Sequence, residues 1–165
     1  MPRQTLRAPC LPDPSVGMQP AESAPQPALH ATWTAARPTI LVVDDDLELL
    51  DVLAQLVADE LPDVDVRLAS TSRDGERAAI VWKPDVILCD IRLPDDDGRR
   101  LLARLRLRAG LERVPGILMT ALDLSAGLLR EEAARLGAEL LRKPFELADV
   151  LRLLERALRA RRLVV

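Results

Sequence analysis

Aromatic and cysteine residues are scarce in this sequence, and it contains no long apolar run. Aromatic side chains make up 2% of the 165 residues, so the core must be built from the aliphatic residues that dominate the 48% hydrophobic fraction. The two cysteines, Cys10 and Cys89, lie far apart and form neither a disulfide nor a metal-binding pattern, which is typical of a reducing cytoplasm. No stretch approaches the roughly 20 apolar residues that span a bilayer. A formal net charge of −3 gives no long-range attraction to nucleic acid or anionic lipid. We therefore expect a cytoplasmic protein that binds neither nucleic acid nor membrane directly.

The first 37 residues differ in composition from the remainder of the chain. Residues 1–37 hold seven of the thirteen prolines and mix Ala, Ser, Gln and Thr without periodicity. Such a segment cannot bury enough apolar surface to offset its conformational entropy, so we predict a disordered Pro/Ala-rich N-terminal extension. Two other interpretations stay open, namely an organelle-targeting segment and a true start codon at Met18 or later. The predicted folded domain covers residues 38–160, and residues 161–165 form a short C-terminal tail.

Strand and helix patterns alternate five times along residues 38–160. Three continuous apolar runs predict strands covered on both faces, and two mixed segments, the second and fifth, predict edge strands. The five segments are, in chain order, 39–43, 64–68, 85–89, 116–119 and 138–142. A helix with one apolar face follows each strand; the third is predicted to end at Gly110 and the fourth to begin at Ser125. The alternation predicts a doubly wound α/β fold with a five-stranded parallel sheet of order 2-1-3-4-5 and helices on both faces, the flavodoxin-like arrangement.

Five polar residues stand at the carboxyl ends of the predicted strands. Along the chain they are Asp44 and Asp45 after the first strand, Asp90 after the third, Thr120 at the end of the fourth and Lys143 after the fifth. Ligands of such sheets bind beyond the carboxyl ends of the strands, and strands one, three and four are neighbours in the predicted order. We therefore expect the three acids and the threonine to converge, with Lys143 reaching in from the flanking strand.

Carboxylates that converge in this way raise one another's pKa unless cations neutralise them. Mg²⁺ prefers oxygen ligands and is commonly held by one or two carboxylates together with phosphate oxygens. Lys143 is one of only two lysines among 23 basic residues, which indicates that a compact point charge is needed there. A carboxylate beside Mg²⁺, a hydroxyl and an ammonium is able to accept a phosphoryl group covalently. The pattern thus predicts a Mg²⁺-dependent phosphoryl acceptor site.

Several neighbouring residues are explained by structure alone. Asp46 and Asp97 are expected to cap the first and third helices. Asp95 and Asp96 are expected to be solvated acids of a loop, and Trp82 is expected in the core on the inner face of the second helix.

Four stretches of the sequence together resemble the receiver domains of bacterial two-component systems. They are Ile-Leu-Val-Val-Asp-Asp-Asp (40–46), Asp-Ile-Arg-Leu-Pro-Asp-Asp-Asp-Gly (90–98), Met-Thr-Ala (119–121) and Lys-Pro-Phe (143–145). The motifs occur in the family's order and spacing, and the resemblance covers all of the predicted folded domain. Each motif alone is weak, but the four together are specific.

The resemblance implies that Asp90 is the phosphoacceptor, that Thr120 is the switch hydroxyl and that Lys143 binds the phosphoryl group. It also implies a cis peptide bond between Lys143 and Pro144, which the low cis penalty of X–Pro bonds allows. One position departs from the family's pattern, since Leu140 stands where receivers commonly carry Tyr or Phe as a reporter of the active state. A switch built on a rotating aromatic ring is therefore not expected, whereas a shift of the loop beside Thr120 stays open.

The metal ligands implied by the resemblance are Asp44, Asp45, Asp90 and the backbone carbonyl of Arg92, and the implied cofactor is Mg²⁺. In such domains Arg92 and Leu122 would flank the path of water to the phosphoryl group. We hypothesise that the bulk of Arg92 and the apolar side chain of Leu122 hinder that water and alter the lifetime of the phosphorylated state.

The function implied by the resemblance is phosphorelay signal transduction. A sensor histidine kinase or a histidine phosphotransfer protein would donate the phosphoryl group, and the modified domain would change its binding to a downstream protein target. Such a domain is a signalling switch and not an enzyme. No DNA-binding element follows the last helix, so the expected output is protein–protein contact, and the last strands and helices are a candidate surface for a homodimer.

Two other functions stay open from the sequence. A pseudo-receiver would bind partners without being phosphorylated, although the complete set of acids with Thr120 and Lys143 argues against it. A haloacid-dehalogenase-like phosphatase would use Asp44 as its nucleophile and Asp46 as its acid. The residues that follow, Leu47 and Glu48, do not match the motif of those enzymes.

Overall fold

The computed structural model describes residues 37–121 and 127–162. Strands and helices alternate through this part of the chain. Their bounds are β1 Thr39–Val43, α1 Leu47–Glu60, β2 Asp65–Ala69, α2 Ser72–Trp82, β3 Val86–Asp90, α3 Gly98–Leu105, β4 Gly116–Thr120, α4 Leu128–Arg135, β5 Ala138–Arg142 and α5 Leu147–Arg162. The predicted extension 1–37 lies outside the described residues except for Arg37, so its disorder stays a prediction. Leu122 and the predicted helix cap Ser125 also lie outside them.

The five strands form one parallel sheet in the order β2-β1-β3-β4-β5. Both the doubly wound α/β fold and its strand order are therefore as predicted. A helix connects each strand to the next because parallel neighbours need a long crossover connection. β3 and β4 are buried along their whole length, whereas β2 and β5 carry exposed residues, which confirms them as the edge strands.

Alternate side chains of the central strands pack on opposite faces of the sheet. Ile40 and Val42 belong to a core cluster shared with α1 and α5, whereas Leu41 and Val43 belong to one shared with α2, α3 and α4. All four side chains are at most 1% exposed. Because both faces are covered, every position of such a strand favours an apolar residue, which explains the uninterrupted apolar runs.

Side chains at the helix starts accept N–H groups that the first turn leaves without partners. Asp46 accepts from Leu49 N at 3.1 Å, and Asp97 accepts from Arg99 N at 2.8 Å, which confirms both predicted caps. The cap of α2, for which no residue was predicted, is Thr71, whose hydroxyl accepts from the third N–H of the helix at 3.1 Å.

The third helix ends earlier than predicted. It stops at Leu105, and turns occupy residues 106–113, so the prediction that Gly110 ends the helix is wrong. Gly110 has φ +84°, a left-handed conformation that favours glycine, and its N–H donates to Glu112 Oε2 at 2.8 Å. The turn that follows also buries Leu111. Apolar residues therefore continue past the end of the helix, and periodicity overestimates its length.

Three apolar side chains at helix ends are exposed, among them Trp82, which was expected in the core. Trp82 is 51% exposed, Leu128 74% and Leu147 41%. Each stands at the first or last residue of its helix, and periodicity does not show how much of a helix end is covered. The Arg67 guanidinium lies over the Trp82 ring, 3.8 Å from its centroid, so this indole takes part in a surface cation–π contact rather than in the core.

The last helix passes the predicted end of the domain. Arg161 and Arg162, predicted to lie in the C-terminal tail, are helical, because α5 continues to Arg162. Arg161 lies beside the acid that precedes β3, with its Nε 3.7 Å from Asp85 Oδ1. Among the described helices, none is both long and apolar enough to cross a membrane.

Candidate functional site

The predicted site residues lie at one edge of the sheet, where β1, β3 and β4 end. Asp44 directly follows β1, Asp90 is the last residue of β3, and Thr120 is the last residue of β4. In the parallel register, Val43 pairs with Cys89, and Asp90 pairs with Met119. The carboxyl ends of these three neighbouring strands are therefore level, and the apolar core beneath them fixes the backbone of each polar residue.

Three carboxylates come together at this edge. One oxygen from each of Asp44, Asp45 and Asp90 lies within 4.8 Å of the others. Asp44 is fully buried and Asp90 is 8% exposed, whereas Asp45 is open to solvent. One carboxylate oxygen of Asp44 is held by a local contact, because its Oδ1 accepts the N–H of Asp46 at 3.0 Å. The cluster thus combines two buried acids with one that faces water.

Lys143 joins the cluster from the loop after β5. Its Nζ lies 2.7 Å from Asp44 Oδ2 and 3.3 Å from Asp90 Oδ1. The Lys143 N–H donates to the Thr120 carbonyl at 2.7 Å, and the bond to Pro144 is cis, as the resemblance implies. Next to it, Phe145 packs against the α1–α5 core cluster. The loop that carries the ammonium is therefore held at the backbone of the lysine and again two residues after it.

Burial and charge in this cluster shift the pKa of Asp90 and of Lys143. Burial raises the pKa of Asp90, the ammonium of Lys143 opposes that shift, and the nearby charge of Asp44 adds to it. Burial alone would lower the pKa of Lys143, but its hydrogen bond and charge interaction with Asp44, together with Asp90, raise it overall. One ammonium among three carboxylates leaves excess negative charge, so the site favours a further cation.

The donor set fits a hard divalent cation. Three carboxylate oxygens within reach of one another and open to water on one side are the ligands that Mg²⁺ takes in proteins. Arg92 lies two residues after Asp90 in the loop 91–97, with its side chain exposed, and it pairs with Asp97 in an isolated antiparallel bridge. Asp44, Asp45 and Asp90 are therefore the side chains that could hold a metal, and the role of the Arg92 carbonyl stays a prediction.

Thr120 and Leu140 occupy the positions on which switching was expected to depend. Thr120 is 2% exposed at the end of β4. Leu140 lies on the edge strand β5 and packs, partly buried, against the core cluster shared with α2, α3 and α4. Thr120 thus lies at the end of the strand next to β3, while an aliphatic side chain fills the place of the family's aromatic residue.

The acids that follow Asp90 lie in a loop, as expected, and Asp95 is exposed, but both also bind groups from other elements. Asp95 accepts the backbone N–H groups of Ser72 and Arg73 at 2.8 and 3.0 Å. Asp96 Oδ2 lies 2.5 Å from Arg104 Nη1. Their partners come from the start of a helix 22 to 23 residues earlier and from the last turn of the next helix, so no local spacing rule indicates either contact.

Replacing Lys143 with Met should lower the free energy of unfolding of the metal-free protein by about 2 kcal/mol, because the buried carboxylate of Asp44 would lose its partner. Mg²⁺ should restore part of this loss, since a ligand that binds only the folded state stabilises it. Urea unfolding with and without Mg²⁺ measures both effects.

Lys83→Met is the matched control. The other lysine of the chain donates to the Ala109 carbonyl at 2.7 Å on the surface. Its replacement should cost less than about 0.5 kcal/mol and show no dependence on Mg²⁺. Equal losses in the two variants would contradict the pairing of Lys143 with a buried charge.

Comparison with known proteins agrees with the resemblance to receiver domains that the sequence motifs indicate. A model of the response regulator receiver domain family matches residues 40–155. The DNA-binding transcriptional regulator NtrC of Proteus hauseri is 36% identical over 121 residues, which cover 72% of this chain and 24% of that protein. A protein-glutamate methylesterase/protein-glutamine glutaminase of Anaeromyxobacter dehalogenans is 36% identical over 119 residues, 69% of this chain and 33% of that protein. The chain therefore spans a quarter to a third of the length of these two relatives.

Solved structures agree with the fold. A response regulator receiver domain protein from Methanospirillum hungatei superposes with a TM-score of 0.68 at 26% identity, covering 78% of this chain and 98% of that one. The non-phosphorylated HemR receiver domain of Leptospira biflexa gives a TM-score of 0.64 at 30% identity, covering 73% and 94%.

Proposed function

This chain belongs to the family of response regulator receiver domains, and we propose that it acts in phosphorelay signal transduction by accepting a phosphoryl group on Asp90. The observation that carries the proposal is the pairing of a buried Asp90 carboxylate with the Lys143 ammonium at 3.3 Å, inside a cluster of three acids. A structural ion pair would need one acid for one lysine. The surplus of carboxylates at a strand end is better explained by a site that handles a cation and a phosphoryl group.

The chemistry asked of Asp90 is a displacement at phosphorus. A carboxylate oxygen of Asp90 forms a new bond to the phosphorus of a phosphohistidine, the P–N bond breaks, and its electron pair stays on the imidazole of the donor. The product is an acyl phosphate on Asp90. Lys143, whose Nζ already lies within hydrogen-bond reach of Asp44, would hold one phosphoryl oxygen, and the Thr120 hydroxyl would hold another.

Mg²⁺ would be held by Asp44, Asp45 and Asp90 with the Arg92 carbonyl, and when bound it would neutralise the charge on the phosphoryl oxygens. The chain's own contribution is to keep the acceptor in place and partly shielded from water. The raised pKa of Asp90 indicates that its ionised form is held at some cost, and Lys143 offsets that cost. The Lys143 ammonium, which stabilises the charged carboxylate of Asp90, would then stabilise the negative charge of the phosphoryl group after transfer.

The partners of such a domain are a sensor histidine kinase or histidine phosphotransfer protein on one side and a downstream protein target on the other. The new dianion would favour one of two conformers of the loops that carry Thr120 and Lys143, and the altered surface would bind its target differently. Because Leu140 replaces the aromatic reporter, we expect these loops, and not a rotating ring, to carry the change. We place this signalling in the cytoplasm.

Incubation with acetyl phosphate and Mg²⁺ tests the proposal. Intact-mass measurement should show the addition of a single phosphoryl group, and the addition should be absent when EDTA removes the metal. A protein that binds Mg²⁺ but takes no label from acetyl phosphate or from a phosphohistidine donor would instead be a pseudo-receiver that binds its partners constitutively.

Arg92→Ala should shorten the lifetime of the phosphorylated protein several-fold, equivalent to about 1 kcal/mol of barrier. The reason is that an exposed, bulky side chain two residues after the acceptor would hinder water on its way to the acyl phosphate. Loss of label after removal of the donor, followed by mass, gives the rate. Arg100→Ala, which removes an arginine that is 79% exposed on α3, serves as the control and should leave the lifetime unchanged. An unchanged rate in Arg92→Ala would refute the hypothesis.

A further inference from the structure

The loop between β3 and α3 is a short, internally braced turn. Arg92 and Asp97 form an antiparallel bridge across it, and Leu93 N donates to the Asp96 carbonyl at 3.1 Å. Asp95 therefore stands at the tip of the turn, three residues after Arg92 and two before Asp97. A contact made at the tip fixes the direction in which the whole turn extends from the acceptor strand.

The tip is attached to the start of α2. Asp95 Oδ1 accepts from Ser72 N at 2.8 Å, and Oδ2 accepts from Arg73 N at 3.0 Å. The Thr71 hydroxyl accepts the next N–H of the helix, that of Asp74, at 3.1 Å. Thr71 and Asp95 together thus satisfy the first three N–H groups of α2, and two of the three bonds come from a residue more than 20 positions later in the chain.

A carboxylate is well suited to this contact. It offers one oxygen to each of two adjacent N–H groups, and its negative charge is favoured at a helix N-terminus. The two hydrogen bonds, from Ser72 first and Arg73 second, lower the pKa of Asp95 below its ordinary value. The contact therefore persists as an ionised, two-point attachment throughout the neutral pH range.

A guanidinium ties the same two elements together a second time. Arg104 of α3 donates through Nη2 to the Ser72 hydroxyl at 2.9 Å and through Nη1 to Asp96 Oδ2 at 2.5 Å. Its Nε donates to Glu76 of α2 at 3.0 Å. Since Ser72 is only 1% exposed, this network lies partly inside the protein and joins the first turn of α2, the loop and α3 into one hydrogen-bonded unit.

We infer that Asp95 is a positioning residue for the candidate metal site, which attaches the tip of the acceptor loop to α2 and so holds the backbone of Arg92 in place. The inference rests on the proposed function, in which the Arg92 carbonyl completes the metal shell. Asp95 does not hold the metal itself but acts through the backbone of Arg92, three residues before it. No side chain of the acidic cluster has this positioning role.

Two variants separate this task from simple support of α2. Asp95→Ala removes the attachment of the loop, whereas Thr71→Ala removes a hydrogen bond from the same helix turn and leaves the loop attached. Titration calorimetry with MgCl₂ should show Mg²⁺ affinity weakened on the order of tenfold in Asp95→Ala and unchanged in Thr71→Ala. Asp95→Asn keeps one amide oxygen for one of the two N–H groups and should give an intermediate affinity.

The rate of labelling by acetyl phosphate as a function of MgCl₂ concentration gives a second readout. Asp95→Ala should need more Mg²⁺ for half-maximal labelling and should reach the wild-type maximum at saturation. Equal Mg²⁺ affinity in Asp95→Ala and the wild type would overturn the inference, as would an equal weakening in Thr71→Ala. A wild type that binds Mg²⁺ but takes no label overturns the proposed function, and the calorimetric comparison then still decides the role of Asp95. A wild type that binds no Mg²⁺ overturns both.

Discussion

Asp90→Asn should leave the protein folded and lower the initial rate of labelling by acetyl phosphate at least about a thousandfold. The amide has nearly the same shape as the carboxylate, but its oxygen is a poor nucleophile and cannot form the acyl phosphate. Intact mass after timed incubation with acetyl phosphate and Mg²⁺ measures the effect.

Asp45→Asn is the matched control for this loss. Asp45 belongs to the same cluster, but it is exposed, and its replacement leaves the carboxylate of the proposed acceptor Asp90 intact. We expect this variant to be labelled at a reduced rate that rises with Mg²⁺ concentration. Substantial labelling of Asp90→Asn would mean that a different residue accepts the phosphoryl group.

The same Asp90→Asn variant should also be more stable than the wild type when both are metal-free at neutral pH. Burial raises the pKa of Asp90, so the folded protein disfavours the ionised carboxylate relative to the unfolded chain. The stabilising contribution of the protonated carboxyl is present below its ordinary pKa and is lost as the pH rises through the raised value. Urea unfolding in EDTA should therefore favour the Asn variant at pH 7, with a difference that shrinks as the pH falls. A variant that lost both label and stability would indicate a structural acid instead of an acceptor.

Gly98→Ala should destabilise the protein by about 3 kcal/mol or more, although alanine normally favours a helix over glycine. A Cβ at Gly98 would stand 2.1 Å from the backbone oxygen of Asp90 and 2.8 Å from Cys89 Sγ. This oxygen is a backbone atom of the last residue of β3, a fully buried strand, so no flexible side chain can move to relieve the contact. The clash must therefore shift either the start of α3 or the backbone of Asp90, the proposed acceptor, and labelling should fall together with stability.

Gly127→Ala tests whether this cost comes from the close approach. Among the described residues, a Cβ at Gly127 meets no atom within 4 Å, but its φ of +70° is a conformation that alanine adopts with strain. The expected cost is about 1 kcal/mol, with little change in labelling. If urea unfolding gave equal losses of stability for the two variants, the close packing of Gly98 against Asp90 would not be the cause of the loss in Gly98→Ala.

The local features of this fold were accessible from the sequence. The uninterrupted apolar runs identified the strands that are covered on both faces, and the mixed runs identified the edges. The caps Asp46 and Asp97 were predictable because each accepts an N–H only two or three residues away. Helix ends were less predictable: apolar burial continues past the end of α3 to Leu111, and Trp82, the last residue of α2, is exposed.

The chain's order of residues determined the fold class, the strand order and the approach of Asp44, Asp45, Asp90 and Lys143, because parallel strands joined by helices bring their carboxyl ends to one edge. Only the tertiary structure decided which oxygen meets the ammonium, how deeply each acid is buried, and that Asp95 binds the start of α2. Those quantities arise from the packing of segments far apart in the sequence. Local pattern places a residue on its element, whereas the distance between two elements is set by every side chain between them.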